Sequence, residues 1–111
     1  MNQEQTYLVA AEAELAVRSF DDIADLIGAC LGGEGLLLSE EDLGPEFFRL
    51  RSGLAGELLQ KFVNYRIRVA ITVPDPARYG ERFSELAYEH ATHPLIRFVR
   101  SRAEAESWLE S

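Results

Sequence analysis

Two arginines and a serine form the most chemically distinctive group in this sequence. Arg49 and Arg51 come just before Ser52 and Gly53, and the residues that follow carry apolar side chains at helical spacing. The pattern predicts a helix that begins at Ser52 with two guanidinium groups beside its first turn. Free backbone N–H groups at a helix start attract anions, and guanidinium groups match carboxylates and phosphates. The alternative is structural, with Ser52 as a cap and the arginines paired with nearby acids.

The charge of the chain is uneven, and the positive excess falls on the same segment. The net charge of −8 argues against nucleic acid and anionic membranes as partners. Between residues 49 and 68, however, one acid, Glu57, stands among five basic residues: Arg49, Arg51, Lys61, Arg66 and Arg68. One interpretation is a local site for an anion or an acidic partner, and the other is a solvated surface.

The end of the predicted helix carries further polar groups. Asn64 is a residue type that often adopts the left-handed conformation at a helix C-terminus. Tyr65 can bury its ring while it offers its hydroxyl to a partner. With Arg66, they form the corner at which the helix turns into a strand. We include all three among the candidate binding residues, although each also has a structural interpretation.

Gly53 and Gly56 have a spacing that would let another backbone approach the start of the helix. They do not form a phosphate-binding loop, because Glu57 stands where that motif requires lysine. The triple glycine of dinucleotide-binding folds is also missing. The sequence therefore predicts no nucleotide or other cofactor.

The remaining reactive side chains do not form a recognisable catalytic or metal site. His90 and His93 are three residues apart, but such a pair needs a third ligand from elsewhere, so no metal site is predicted. Cys30 lies on an apolar helix face and is predicted to be a core residue. As the only cysteine it has no partner for an internal disulfide, which favours a reducing, cytoplasmic location. No catalytic residues are predicted, because no Ser/His/Asp set is evident.

Length and pattern predict one α/β domain over residues 1–111. No transmembrane segment or secretory signal is expected. Strand patterns cover residues 6–10, 36–38, 68–73 and 95–99, with 15–17 as a hairpin partner of the first. Helix patterns cover 19–33, 46–50, 52–65 and 77–92, and a last helix follows Ser101. This alternation predicts a four-to-five-stranded, mostly parallel sheet. Ligands collect at the carboxyl ends of such strands, where the loop 39–52 leaves the second main strand.

The run FFRLRSGLAGELLQKFVNYRIRVAI, residues 47–71, resembles the signature of a bacterial family, domain-of-unknown-function family 4180. In that family Thr is common at the position of Ser52. The family's layout is similar to that of STAS-like domains, which include anti-sigma-factor antagonists. The resemblance implies a protein-binding role without catalysis, and phosphorylation of Ser52 as a switch. The usual Asp-Ser-Ser or Asp-Ser-Thr motif is replaced here by Arg51-Ser52-Gly53.

Three hypotheses about function follow. The first is a regulatory domain, not an enzyme, that binds another protein. The second is a binding protein or enzyme for a small anionic ligand, held by Arg49, Arg51 and Tyr65 with Glu57 as a general base. The third is a homodimer or larger homo-oligomer whose interface contains exposed aromatic side chains: Phe47, Phe48 and Trp108.

Overall fold

A sheet of four parallel strands forms the centre of the computed structural model, which describes residues 7–32 and 35–111. The strands stand side by side in chain order: β1 Leu8–Val9, β2 Leu36–Ser39, β3 Val69–Thr72 and β4 Ile96–Val99. Their register pairs Leu36 with Val69 and Val69 with Ile96. The predicted α/β fold with a mostly parallel sheet is thus confirmed, and the described part of the sheet is parallel throughout.

In residues 7–32 and 35–111, five helices and three 3₁₀ turns connect and flank the strands. The helices are α1 Asp21–Cys30, α2 Pro45–Phe48, α3 Leu54–Asn64, α4 Glu81–Glu89 and α5 Arg102–Leu109. The 3₁₀ turns are Glu40–Asp42, Leu50–Ser52 and Pro76–Tyr79. Each crossover therefore returns to the neighbouring strand through a helix, as parallel pairing requires. Within the described residues, no helix is long and apolar enough to cross a membrane.

The two faces of the sheet carry cores of unequal size. Leu36 and Leu38 point to the larger core, which contains the inner sides of α1, α3 and α4. Leu37 points to the other face and packs with α5, through Ala105 and Leu109. This alternation follows from the two-residue period of a strand. The continuous apolar run at 36–38 is explained because the strand is buried on both faces.

Helix α3 attaches to the larger core through a continuous apolar stripe. Leu54, Leu58 and Phe62 are fully buried, as their helical spacing predicts. Full burial of each such side chain stabilises the fold by about 1.5–3 kcal/mol. The predicted role of Gly56 is wrong, however, because a Cβ atom built there meets nothing within 4 Å. The glycine spacing does not serve close backbone packing.

The chain between β1 and α1 differs from the prediction. Val17 forms an isolated parallel bridge with Leu43, so residues 15–17 are not the hairpin partner of β1. Ser19 does not cap α1 through its side chain. Instead, the Asp22 carboxylate accepts hydrogen bonds from the backbone N–H groups of Arg18 and Ser19. Residue 6 of the predicted first strand lies outside the described residues.

The end of α1 follows the prediction in part. The helix ends at Cys30, and Gly32 has a positive φ of 83° in the turn that follows. This conformation costs glycine little because it lacks a Cβ atom. Gly33, the other glycine of the predicted helix end, is not among the described residues. Cys30 is buried as predicted, and burial raises the pKa of its thiol to about 11.

The single helix predicted over residues 77–92 is wrong. The chain forms the 3₁₀ turn Pro76–Tyr79, and α4 begins only at Glu81. Gly80 separates them with φ 103° and ψ 167°, a conformation available almost only to glycine. His90 lies after the last turn of α4, not inside a longer helix. The break gives α4 an N-terminus of its own close to residues 48–51.

The three aromatic residues expected at an interface are not exposed. Phe47 is fully buried, and Phe48 stacks on Tyr79 with 3.8 Å between ring centroids. The Trp108 ring lies beside the guanidinium groups of Arg68 and Arg97, at 4.4 and 4.8 Å from the ring centroid. The prediction failed because a sequence cannot show which neighbours will cover an aromatic ring. Phe47 thus has no exposed surface, whereas Phe48 and Trp108 are half-buried against these neighbours, and the homo-oligomer stays a prediction.

Candidate functional site

Ser52 lies in a 3₁₀ turn and uses its hydroxyl internally. The hydroxyl donates to the Glu46 carbonyl oxygen at 2.8 Å and accepts from the Leu54 backbone N–H at 3.2 Å. Helix α3 begins at Leu54, and Gly53 precedes it with φ 84°. The predicted helix start at Ser52 is therefore two residues early. Even so, the Ser52 hydroxyl satisfies one N–H group of the first turn, as a cap would.

Arg49 and Arg51 differ in their surroundings. Arg49 forms an exposed ion pair with Glu46 at 2.6 Å, which matches the structural alternative for this residue. Exposed ion pairs of this kind contribute little to stability, about 0–1 kcal/mol. Arg51 is exposed, and among the described residues it has no ion pair and no side-chain hydrogen bond. Its charge is not needed to hold any neighbouring element in place.

Both arginines line an open hollow that Arg82 completes from the first turn of α4. We call it the arginine hollow; it has a volume of about 550 Å³, and its walls include Phe48, Arg49, Arg51, Tyr79, Gly80 and Arg82. The backbone N–H groups at the start of α4 have no side-chain cap. Three guanidinium groups and a helix N-terminus therefore surround one space. Glu81 is the acid in the wall of this hollow.

Tyr79 holds the wall of the arginine hollow in place. Its hydroxyl donates to the Glu40 carboxylate, which links the 3₁₀ turn before α4 to the loop after β2. Burial, followed by this hydrogen bond, raises the pKa of Tyr79 to about 12. The phenol therefore stays protonated at neutral pH and can act there only as a hydrogen-bonding and stacking group. Its ring supports Phe48 directly.

Glu57 and Tyr65 lie in a different concavity, between α1 and α3. We call it the α1–α3 groove; it has a volume of about 460 Å³, and its walls include Phe20, Ala24, Gly28, Leu31, Glu57 and Tyr65. Phe20, Leu31 and Tyr65 expose 52%, 54% and 52% of their surface, and it is their grouping around one concavity that is informative. The groove is therefore an exposed apolar surface with polar groups at its rim.

The structure divides the residues that sequence analysis grouped as one anion site. Glu57 forms an ion pair with Lys61 at 3.6 Å on α3 and does not line the arginine hollow. Tyr65 likewise borders only the groove. The geometry thus gives Glu57 no position from which to act as a general base on a ligand of Arg49 and Arg51.

The corner after α3 also differs in detail. Asn64 is the last helical residue and accepts a hydrogen bond from the Gln60 side chain at 2.9 Å. The left-handed conformation falls on Arg66, with φ 55°, and not on Asn64. Arg66 is exposed and, within the described ranges, forms no ion pair. Its side chain lines neither the hollow nor the groove.

The carboxyl ends of β1, β2 and β3 border a smaller hollow of about 230 Å³. The Asp42 carboxylate there accepts hydrogen bonds from the backbone N–H and the hydroxyl of Ser39, each at 2.9 Å. These bonds close the start of the 3₁₀ turn after β2. The Thr72 hydroxyl oxygen is buried without a hydrogen-bond partner among the described atoms. The polar groups of Ser39 and Asp42 at the end of β2 thus serve mainly to hold the conformation of the loop.

The histidine pair is used for structure. The rings of His90 and His93 stack, and His93 Nδ1 accepts from the backbone N–H groups of Leu95 and Ile96 at 3.0 and 3.1 Å. Burial, then the charges of His90 and Arg97, lowers the pKa of His93. In the part of the chain that the structure describes, no three His, Cys, Asp or Glu side chains are placed to hold a metal.

Substitution of His93 by asparagine should reduce the sensitivity of the protein to mild acid. The native state keeps His93 neutral, so below its ordinary pKa of 6.5 the unfolded chain binds a proton more readily, and stability falls as pH falls. Asparagine can still accept the two backbone hydrogen bonds but does not titrate. We expect a smaller loss of thermal midpoint between neutral and mildly acidic pH than in wild type. Equal losses in the two proteins would contradict this assignment.

Comparison with known proteins establishes the family of the chain. The chain belongs to the family described as Domain of unknown function (DUF4180), whose model matches residues 2–109. Comparisons with curated proteins and with solved structures gave no significant match. The family part of the resemblance is therefore confirmed, and its description assigns no activity. The wider similarity to STAS-like domains stays a prediction.

Arg82 and the apolar side of α1 were not among the candidate residues that the sequence indicated. Arg82 was placed in the interior of a long helix, where a helix N-terminus was not expected. The signal that could have revealed it was Gly80, with Pro76 four residues earlier. Phe20 and Leu31 flank the helical pattern of α1, and nothing in the sequence indicated that they would remain uncovered.

Proposed function

We propose that this chain is a regulatory domain, not an enzyme, that binds another protein, and that the α1–α3 groove is its docking surface. The observation that carries the proposal is the exposure of Phe20, Leu31 and Tyr65 around one concavity. Exposed apolar side chains grouped in this way are typical of protein interaction sites. The predicted STAS-like layout supports the same class of function, because such domains act by binding partners.

The proposal is tested by affinity capture from the native host with quantitative mass spectrometry. Leu31→Asp places a charge in the groove and should abolish capture of the specific partner. Tyr88→Asp is the matched control, because Tyr88 is 83% exposed on α4 and lies outside the groove. If the two variants capture the same proteins as wild type, the groove is not the docking surface. Circular dichroism of each variant verifies that it is folded.

Phosphorylation of Ser52 is a separate proposal, supported by the family resemblance. The geometry adds a condition: a kinase would first have to free the hydroxyl from the Glu46 carbonyl and the Leu54 N–H. A phosphate at this position would carry about −1.5 to −2 charges close to Arg51. Comparison of capture by Ser52→Ala and Ser52→Asp tests the switch, and identical partner sets would count against it.

Binding of a small anion in the arginine hollow is the second candidate function. It is favoured by Arg51 and Arg82, neither of which has an ion pair or side-chain hydrogen bond within residues 7–32 and 35–111. Such groups can bind an anion without breaking an existing pair. Charge-assisted hydrogen bonds contribute about 1.5–3 kcal/mol each. The hollow is wide enough for a multiply charged ligand such as pyrophosphate.

Removal of two charges from the hollow should weaken anion binding sharply. We expect the double variant Arg51→Ala/Arg82→Ala to bind inorganic pyrophosphate at least about tenfold more weakly than wild type, since two charge-assisted contacts are lost. Isothermal titration calorimetry measures the change. Arg66→Gln is the control, because Arg66 belongs to the same basic segment but lies outside the hollow. No binding by wild type, or equal loss in the control, would exclude this site.

A further inference from the structure

We propose that the open edge of strand β4 pairs with the same strand of a second copy of this chain, so that two sheets join across a twofold axis at Phe98. The inference goes beyond the proposed function, because the residues that border this edge and those that line the α1–α3 groove form separate sets. The homodimer predicted from the sequence would use exposed aromatic side chains, whereas this one uses the backbone of an edge strand.

Strand β4 lies at one edge of the described sheet, with β3 as its neighbour. The carbonyl oxygens of Leu95 and Val99 accept hydrogen bonds from backbone N–H groups on the β3 side. Because alternate residues of a parallel strand bond to the same neighbour, Ile96 and Phe98 turn their backbone groups to the other side. An edge of this kind is a template for pairing with another strand.

The chain itself closes both ends of this edge and leaves its centre open. His93 Nδ1 accepts from the Ile96 N–H at 3.1 Å, and the Glu104 carboxylate accepts from the Arg100 N–H at 2.9 Å. In the residues that the structure describes, no group forms a hydrogen bond with the backbone N–H or C=O of Phe98. Phe98 thus offers a donor and an acceptor at the centre of the edge.

A donor and an acceptor on the same residue are what a twofold pairing needs. In an antiparallel pair, two residues that lie directly opposite each other can exchange both backbone hydrogen bonds. Phe98 can therefore donate to, and accept from, Phe98 of a second copy. A long strand of an unrelated partner would gain less, because the outward N–H groups on either side of Phe98 are already bonded. The short open stretch favours a symmetric contact between two copies.

The charges beside the edge are complementary in this arrangement. With Phe98 opposite itself, Arg97 lies opposite Val99 of the second copy, on the face of the sheet that α5 covers. The Glu104 carboxylate lies at the backbone of Arg100, one residue beyond Val99. Arg97 of each copy therefore approaches Glu104 of the other, and the twofold axis repeats the contact.

Both faces of the edge have room for a second strand. A hollow of about 190 Å³ lies on the α4 side and one of about 780 Å³ on the α5 side, and Phe98 and Val99 border both. The charged residues in their walls are Arg97, Arg100 and Glu104. None of these three has an ion pair within the described ranges. The edge thus lacks the acidic excess that a net charge of −8 gives to the chain as a whole.

Exchange of the two charges tests the pairing by analytical ultracentrifugation of the full chain. We expect wild type to dimerise as its concentration rises. Arg97→Glu and Glu104→Arg should each weaken the dimer by at least about tenfold, because each places two pairs of like charges across the axis. An equal mixture of the two variants should recover the dimer, since both contacts then join opposite charges. A folding defect in either variant would not produce this recovery.

Two further measurements accompany this test. Arg66→Glu makes the same change of charge at an exposed position outside both hollows, so it should leave the dimer unchanged. Amide hydrogen exchange of wild type needs no substitution. Exchange of the Phe98 N–H should slow as the protein concentration rises, because that group donates across the axis only in the dimer. The Ile96 N–H, which His93 already holds, should change less.

Each other outcome would overturn the inference. A chain that stays monomeric at the highest concentration reached does not pair through β4. A dimer that neither charge variant weakens, that does not recover on mixing, or that leaves exchange of the Phe98 amide unchanged is held by another surface. Capture of a host protein through Leu31 is a separate result, because Leu31 borders neither hollow. The proposed function can therefore stand where this inference fails, and the reverse.

Discussion

Replacement of Phe83 by alanine is expected to lower the free energy of unfolding by about 3–5 kcal/mol. Phe83 is 1% exposed, and its ring contacts four other aromatic rings at centroid distances from 5.1 to 6.3 Å: Phe47, Phe48, Tyr79 and Phe98. Those rings belong to three elements, α2, the 3₁₀ turn Pro76–Tyr79 and β4, and cannot collapse together into the vacated space. The substitution therefore loses buried apolar area and also leaves a cavity.

Denaturant unfolding followed by circular dichroism measures this effect. Tyr88→Ala is a matched control, because it removes an aromatic ring from the same helix at a position that is 83% exposed. We expect that control to change stability by no more than about 0.5 kcal/mol. A loss below about 1 kcal/mol in Phe83→Ala would show that the aromatic cluster is not a central support of the fold.

The same substitution should also affect the arginine hollow. Phe83 lines that hollow, and its ring packs against the rings of Phe48 and Tyr79. The segments that carry Arg49 and Arg82 are therefore held in place by the packing of these aromatic rings. If pyrophosphate binds in the hollow, Phe83→Ala should weaken that binding even under conditions in which the variant remains folded.

Gly53 and Gly56 should respond in opposite directions to substitution by alanine. Gly53 has φ 84°, and the left-handed conformation costs a residue with a Cβ atom about 1–2 kcal/mol. Gly53→Ala should be destabilising by that amount. Gly56 lies in the first turn of α3 with open space around it, so Gly56→Ala should stabilise the protein by up to about 1 kcal/mol.

Thermal or denaturant unfolding of the two variants gives this comparison directly. Steric overlap does not complicate it, because the nearest atom to a Cβ on Gly53 is Phe20 Cζ at 3.8 Å. The difference between the variants thus reports backbone conformation alone. Equal effects of both substitutions would mean that the turn between residues 50 and 54 relaxes to a right-handed conformation at no cost.

The strands and the main helical stripe were predictable because local pattern determines them. Leu36 to Leu38 form an uninterrupted apolar run, and Leu54, Leu58 and Phe62 recur at the helical period. A short continuous apolar run can be buried as a strand, and apolar residues at the helical period can be buried together on one face of a helix. The helix break at Gly80 was not predicted because the helical spacing of apolar residues 83–87 is compatible with a helix that begins earlier, at residue 77. Its backbone angles depend on how the preceding turn packs.

The candidate site was predictable only in part. The sequence placed Arg49 and Arg51 at one surface, and the structure agrees, since both line the arginine hollow. Glu57 was grouped with them by proximity in the chain. The positive φ at Gly53 turns the chain before α3 begins, and Glu57 then lies on the side of α3 that faces α1. Residues that are close in sequence therefore lie at different surfaces on the two sides of this turn.

Helix α5, which covers the second face of the sheet in the described part of the chain, has a consequence for how the chain folds. Tyr7 donates a hydrogen bond to Glu110, which lies 103 positions later in the chain, and α5 covers Leu37 and Ala70. During synthesis, this face of the sheet stays open until residues 102–109 have left the ribosome. Contacts between such distant segments slow folding, and the uncovered apolar face is a target for aggregation in that interval. Docking of α5 thus buries this apolar face and removes it as a site of aggregation.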